Sequence, residues 1–93
     1  MRIPSHPGAI LKEELAVRGL SANAFAKALG VPQNRISEII RGRRNVTAET
    51  ALRLAAFFDN FPEFWMSLQT NHDLAKASVE CGAAIQKEVK KAA

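Results

Sequence analysis

The sequence has few of the features that point to a membrane protein or a disulfide framework. Among its 93 residues there is one cysteine, Cys81, so an internal disulfide is excluded. The longest uninterrupted apolar run, residues 54–58, is far too short to span a bilayer. Residues 1–7 contain no apolar stretch of the kind found in signal peptides. We therefore expect a cytoplasmic protein with no membrane contact.

No group of residues suggests catalysis or metal binding. The histidines, His6 and His72, are far apart in the sequence, and Cys81 has no second ligand nearby, whereas a metal site needs several ligands at suitable spacing. A Gly-rich phosphate loop, a carboxylate pair and a Ser-His-Asp arrangement are all absent from the sequence. We therefore expect that the protein is not an enzyme and that it binds no cofactor and no metal. His6 is interpreted as setting the start of the first helix, and Cys81 as a small core residue.

The charge that is present is unevenly distributed. Apolar residues make up 47% of the chain and charged residues 24%, which suits one globular domain over residues 1–93. The net charge is +4, but residues 18–53 alone carry +5, with seven basic residues against Glu38 and Glu49. Six of the seven are arginine, which binds phosphate and base edges through paired hydrogen bonds. This indicates an acidic partner, nucleic acid or protein, although a solvated basic face without a partner has the same pattern.

Apolar residues recur at helical spacing, and no convincing strand pattern appears, which predicts an all-α fold. Four helices are predicted over residues 7–18, 21–29, 32–41 and 47–58, with Ser21 and Thr47 as N-caps and Gly19 and Gly30 ending the first two. A fifth helix begins at Pro62, and a further one is expected after Asn71-His72. The predicted apolar faces are Ile36, Ile39 and Ile40 on the third helix, Ala48, Ala51, Leu52, Ala55 and Phe58 on the fourth, and Leu74, Ala77, Cys81, Ile85 and Val89 on the last.

Residues 22–40 have the pattern of a helix-turn-helix. Ala26 is small where two helices cross closely, and Gly30 stands where the turn needs a left-handed backbone. Val31, Ile36 and Ile39 then anchor the pair in the core. The alternative is an ordinary two-helix corner of a small helical bundle.

The exposed residues of the second helix favour DNA binding. Gln33, Asn34, Ser37 and Glu38 lie on its outer face near its N-terminus, where a recognition helix reads base edges. The alternative for Gln33 and Asn34 is the simple polarity of a helix start. Basic residues around them are predicted to bind phosphates: Lys27, Arg35, Arg41, Arg43 and Arg44. For Arg35, contact with a guanine edge is the alternative.

Four stretches of the chain resemble the HigA (VapI-type) antitoxins of the phage-repressor-like, or XRE, helix-turn-helix family. They are HPGAILKEE at 6–14, the turn from Ala26 to Ser37, VTAETALRL at 46–54 and PEFWMSLQ at 62–69. The resemblance covers roughly residues 6–75. It implies a five- to six-helix, lambda-repressor-like domain with its helix-turn-helix core at about 21–42 and a C-terminal helical dimerisation extension at about 62–90. It also implies a bacterial homodimer that binds a palindromic operator in double-stranded DNA, represses its own toxin–antitoxin operon and neutralises a HigB-type mRNA-cleaving toxin.

The sequence departs from the family pattern at two positions. Phe61 replaces a small capping residue before Pro62, which leaves the cap of the fifth helix to Asn60. Ala22 replaces a polar residue that commonly contacts phosphate in the family, and its methyl side chain cannot make that contact with the DNA backbone.

Aromatic residues crowd into residues 57–65, more than so short a chain can readily bury. We therefore predict a dimer interface, as a palindromic operator requires, with pure core as the alternative reading. Its predicted residues are Phe61, Phe64, Trp65, Leu68 and Leu74. Two other functions remain open: a repressor without a cognate toxin, and a protein-interaction module that has lost DNA binding.

Overall fold

The computed structural model describes residues 2–92, which form five α-helices and no strand. The helices are α1 (Pro7–Arg18), α2 (Ala22–Leu29), α3 (Gln33–Ile40), α4 (Ala48–Phe58) and α5 (Pro62–Glu88). The predicted all-α fold is therefore confirmed.

The predicted helix ends are formed by local hydrogen bonds and by left-handed residues. Ser21 Oγ accepts a hydrogen bond from the Ala24 N–H at 3.1 Å, and Thr47 Oγ1 accepts one from the Thr50 N–H at 3.4 Å. Gly19 and Gly30 end α1 and α2 with φ of 66° and 75°, values that strain residues with a side chain. Each cap and glycine stop predicted at these four positions is confirmed.

The core lies where the first four helices and the beginning of α5 meet. Buried apolar side chains come from every helix, and most have less than a tenth of their surface exposed. They are Leu11, Leu15, Phe25, Ala26, Leu29, Ile36, Ile39, Val46, Ala51, Leu54, Ala55 and Trp65. The apolar face predicted for α4 is partly wrong, because Leu52 and Ala48 point to solvent. Ile40 at the end of α3 is half-buried rather than buried.

Gly8 allows α1 to approach the end of α3. A Cβ atom built at position 8 would overlap the carbonyl oxygen of Ile39 and lie 2.8 Å from its carbonyl carbon. Both atoms belong to the backbone and cannot rotate away, so any side chain here would push the two helices apart. Position 8 therefore fixes how α3 sits on α1.

The predicted break at Asn71-His72 is wrong, because α5 runs through both residues as one helix of 27 residues. Asn and His are only weakly unfavourable inside a helix, by less than about 0.7 kcal/mol each, and neither removes a backbone hydrogen bond. The His72 ring is also held in place, since its Nδ1 donates a hydrogen bond to the Pro4 carbonyl at 2.7 Å. Packing thus overrides a weak local preference.

The predicted N-cap of α5 is also wrong. Phe61 occupies the N-cap position without a side-chain hydrogen bond. The Asn60 side chain instead accepts a hydrogen bond from the Trp65 indole N–H at 3.1 Å. A buried indole needs a partner for its N–H, and Asn60 supplies it from the turn before the helix.

The second half of α5 extends away from the core. Its large apolar side chains Leu74, Val79 and Ile85 are exposed, as is Val89, the residue that follows the helix. Cys81 is exposed as well, so its prediction as a core residue is wrong; its thiol donates a hydrogen bond to the Ala77 carbonyl at 3.0 Å. Within residues 2–92, no helix is both long enough and apolar enough to cross a membrane.

Candidate nucleic-acid interface

Helix α3 is short and packs with α2, and it has one face on the core and the other in solvent. Ile36 and Ile39 of α3 are fully buried, while Gln33 and Asn34 in its first turn are exposed. The turn before α3 is fixed from α4, because Arg53 donates a hydrogen bond to the Leu29 carbonyl at 2.8 Å. The outer face of α3 is thus presented on a rigid support.

The residues predicted to read bases lie on this outer face. Gln33 and Asn34 are exposed, whereas Ser37 and Glu38, one turn further on, are half-buried. Gln and Asn each carry a donor and an acceptor that can pair with an adenine edge. Their placement is compatible with base contact, and the base-reading roles stay predictions.

The residues predicted to bind phosphates surround α3. Lys27 is exposed on α2, and Arg41, Arg43 and Arg44 are exposed in the segment that follows α3. That segment turns at Gly42, whose φ is 74°. Arg35 differs from the others because it lies on α3 itself and is half-buried.

Arg35 forms an ion pair that the sequence pattern did not indicate. Its Nη1 donates a hydrogen bond to Glu49 Oε1 at 2.8 Å, across the gap between α3 and the first turn of α4. Arg53 reaches the other oxygen of the same carboxylate at 3.4 Å. Hydrogen bonds from Arg53 and then from Arg35 hold the pKa of Glu49 below its ordinary value, so this carboxylate is ionised at neutral pH.

A second ion pair joins two residues for which different roles were predicted. Arg44, a predicted phosphate ligand, donates a hydrogen bond from Nη2 to Glu38 Oε1 at 3.0 Å. Glu38 was predicted to read base edges. Both side chains are partly exposed, at 44% for Arg44 and 41% for Glu38, so the pair is weak and can rearrange when another charged group approaches.

Gln69 joins the basic segment after α3 to the long helix α5. Its side chain is buried, its Oε1 accepts a hydrogen bond from the Val46 N–H at 2.7 Å, and its Nε2 donates to Asn45 at 3.3 Å and Asp73 at 3.0 Å. The sequence analysis missed this residue. Its signal is the i, i+4 spacing from Trp65, which places a polar side chain on the buried face of a helix.

His6 packs against the same junction. Its Nδ1 accepts a hydrogen bond from the Gly8 N–H at 2.9 Å, which confirms its predicted place at the start of α1. The ring lies edge to face with His72, with centroids 5.2 Å apart. Burial, followed by the charge of His72, lowers the pKa of His6, so the ring is neutral at neutral pH.

The predicted dimer-interface residues fall into two groups. Phe61, Phe64 and Leu74 are exposed, and Leu68 is half-buried, so these four have surface to offer a partner. Trp65 is 1% exposed because it fills the protomer's own core, where it packs against Phe58 and Phe64. Trp65 therefore has no surface to offer a partner, and its prediction as an interface residue is wrong.

Replacing Gln69 by Leu is expected to destabilise the protein by about 1–3 kcal/mol, because the Val46 N–H would be buried without an acceptor. Asn71→Leu is the matched control, since the same amide-to-leucine change falls on an exposed position of the same helix. It should change stability by less than about 0.5 kcal/mol. Urea unfolding at one fixed protein concentration measures both variants, and equal stabilities would contradict the role given to Gln69.

Comparison with known proteins places this arrangement in a family. The helix-turn-helix family pattern matches residues 11–65, more than half of the chain. Virulence-associated protein I of Dichelobacter nodosus is 52% identical over 73 residues, which are 77% of this chain and 68% of that protein.

Solved structures agree over nearly the whole chain. A HigA-family addiction module antidote protein from Coxiella burnetii is 48% identical with a TM-score of 0.91, and the match covers 98% of this chain and 100% of that one. The Pseudomonas aeruginosa antitoxin HigA, solved with the higBA promoter, is 37% identical with a TM-score of 0.90, and the match covers 97% and 99% of the two chains. The chain belongs to the XRE-type helix-turn-helix family that includes the HigA antitoxins.

Proposed function

We propose that this protein is a dimeric, sequence-specific DNA-binding antitoxin of the bacterial cytoplasm that represses its own operon. The observation that carries the proposal is the outer face of α3, where exposed Gln33 and Asn34 stand among exposed arginines on a rigid support. The relative from Pseudomonas aeruginosa was solved with a promoter, which supports the same use of the fold here. We propose in addition that the protein neutralises a HigB-type toxin.

The division of labour on DNA follows from the chemistry of the exposed side chains. Gln33, Asn34, Ser37 and Glu38 would contact base edges in the major groove, and these contacts select sequence. Lys27, Arg35, Arg41, Arg43 and Arg44 would contact phosphates, which supply most of the affinity and its salt dependence. A helix-turn-helix core near residues 21–42 would bind DNA, and the extension near 62–90 would form the dimer.

A mobility-shift assay tests DNA binding, with DNA from immediately upstream of this protein's own gene and a scrambled duplex of equal length and base composition. Preference for the upstream DNA supports the proposal, and equal binding of both duplexes contradicts it.

Co-expression with the neighbouring reading frame tests the antitoxin role. Restored growth supports it, whereas specific DNA binding without any rescue would favour a repressor that has no cognate toxin.

Gln33→Ala should relax sequence preference, because the side chain would no longer pair with a base edge. The expected loss on the preferred DNA is about 1–3 kcal/mol, with a much smaller loss on scrambled DNA. Competition binding at one salt concentration measures both. Equal losses on the two duplexes would contradict a base-reading role for Gln33.

Arg43→Ala should instead weaken binding to both duplexes by a similar factor, because a phosphate contact carries no sequence information. The slope of log affinity against log salt should become shallower by about one unit. Titrations over a range of salt concentrations measure the slope. A slope unchanged from that of the wild type would rule out the proposed phosphate contact.

The chain should sediment as a dimer at high micromolar concentration if Phe61, Phe64, Leu68 and Leu74 form an interface. Phe61→Asp should shift the equilibrium to monomer, because a buried carboxylate without a partner is costly. Val17→Asp is the control, since Val17 is also exposed, at 86% against 76% for Phe61, but lies on α1 outside this group. Sedimentation of the wild-type chain as a monomer would contradict the interface.

A further inference from the structure

Residues 18–53 contain two acidic residues, and each of them binds an arginine of the proposed DNA face. Glu38 and Glu49 are the only acidic residues between positions 18 and 53. Glu38 pairs with Arg44 at 3.0 Å, and Glu49 pairs with Arg35 at 2.8 Å. A carboxylate this close to a DNA face repels phosphate, so each of them opposes binding to any DNA unless it does something else.

Glu49 contacts two arginines and Glu38 contacts one, although the Glu49 side chain is the more exposed of the two, at 60% against 41%. Arg53 contacts its second oxygen at 3.4 Å, and Arg53 is itself fixed by its hydrogen bond to the Leu29 carbonyl at the end of α2. The Glu49 carboxylate is thus held from α4 and, through Arg53, from α2. Glu38 and Arg44 lie on α3 and the segment next to it and share a single hydrogen bond.

Arg35 keeps hydrogen-bonding capacity while it is held. A guanidinium group has five N–H donors, and the contact with Glu49 uses one from Nη1. Its side chain is 27% exposed, so it is restrained by its surroundings but still reaches solvent. An arginine fixed in this way loses less conformational freedom when it contacts a ligand.

We propose that Glu49 is a positioning residue that holds Arg35 so that its remaining N–H donors meet DNA at one fixed place, and that Glu49 thereby contributes to sequence discrimination. This inference rests on the proposed function. It assigns a specific task to a residue that does not itself face the bases. A guanidinium that is held in one place can donate paired hydrogen bonds to a guanine edge, whereas a free one would bind any nearby phosphate.

The positioning role has a distinctive signature, because removing the Glu49 charge affects the two kinds of DNA in different ways. Loss of a negative charge raises the affinity for all DNA, while release of Arg35 lowers the advantage of the preferred sequence. A purely electrostatic role would raise the affinity for both sequences by the same factor. A purely structural role would lower both, together with the melting temperature.

The test is Glu49→Gln, which keeps the size of the side chain and removes its charge. The duplexes are the upstream DNA and its scrambled counterpart. Affinity for scrambled DNA should rise by roughly twofold to fivefold, and the ratio of the two affinities should fall by roughly tenfold. Glu14→Gln is the matched control, because it makes the same charge change at an exposed pair, 3.3 Å from Arg18 on α1. Its affinity ratio should equal that of the wild type.

Two results would overturn the inference. Equal gains on both duplexes would show that Glu49 acts by charge alone. Equal losses with a lowered melting temperature would show that it only stabilises the fold. A wild-type protein that does not distinguish the two duplexes would instead overturn the proposed function itself, and this result is read before any variant is made.

Discussion

The burial of Ile36 and Ile39 is the interaction on which the rest of the structure depends. A helix of eight residues is too short to be stable alone, so α3 exists because its inner face is packed against α1 and α2. Gly8 lets α1 come close enough to complete that packing. The outer face of α3 takes no part in this packing, so it can carry polar side chains that contact another molecule.

The same helix is tied to its surroundings by polar contacts at both ends. Near its beginning, Arg35 is bound by Glu49 of α4. After its end, the basic segment is held by Gln69, whose buried amide binds the backbone at Val46. Apolar packing orients α3, and these two contacts fix the charged groups beside it. The proposed DNA face is thus connected to α4 and α5 by a few identifiable hydrogen bonds.

Much of the fold could be predicted from the sequence because its signals are local. Ser21 and Thr47 act as caps within one turn, and Gly19 and Gly30 adopt backbone angles that favour glycine. The errors arose where a side-chain contact outside the pattern of helical spacing decides the local structure. Asn60 binds the indole of Trp65 instead of capping α5, and His72 is held by Pro4, from the other end of the chain. The exposed position of Gln33 followed from helical spacing, but the pairing of Arg35 with Glu49 depends on where α4 lies, which no spacing rule specifies.

The continuity of α5 has a consequence for the geometry of a palindrome. A single helix of 27 residues is about 40 Å long. If two copies pair along this helix, its fixed length determines how far apart the two α3 helices lie. That separation is then set by the protein alone. Half-sites in DNA recur about every 34 Å along one face of the duplex. A dimer paired along a continuous α5 would bind operators with one spacing between half-sites. It would bind poorly to operators in which a base pair is inserted or removed.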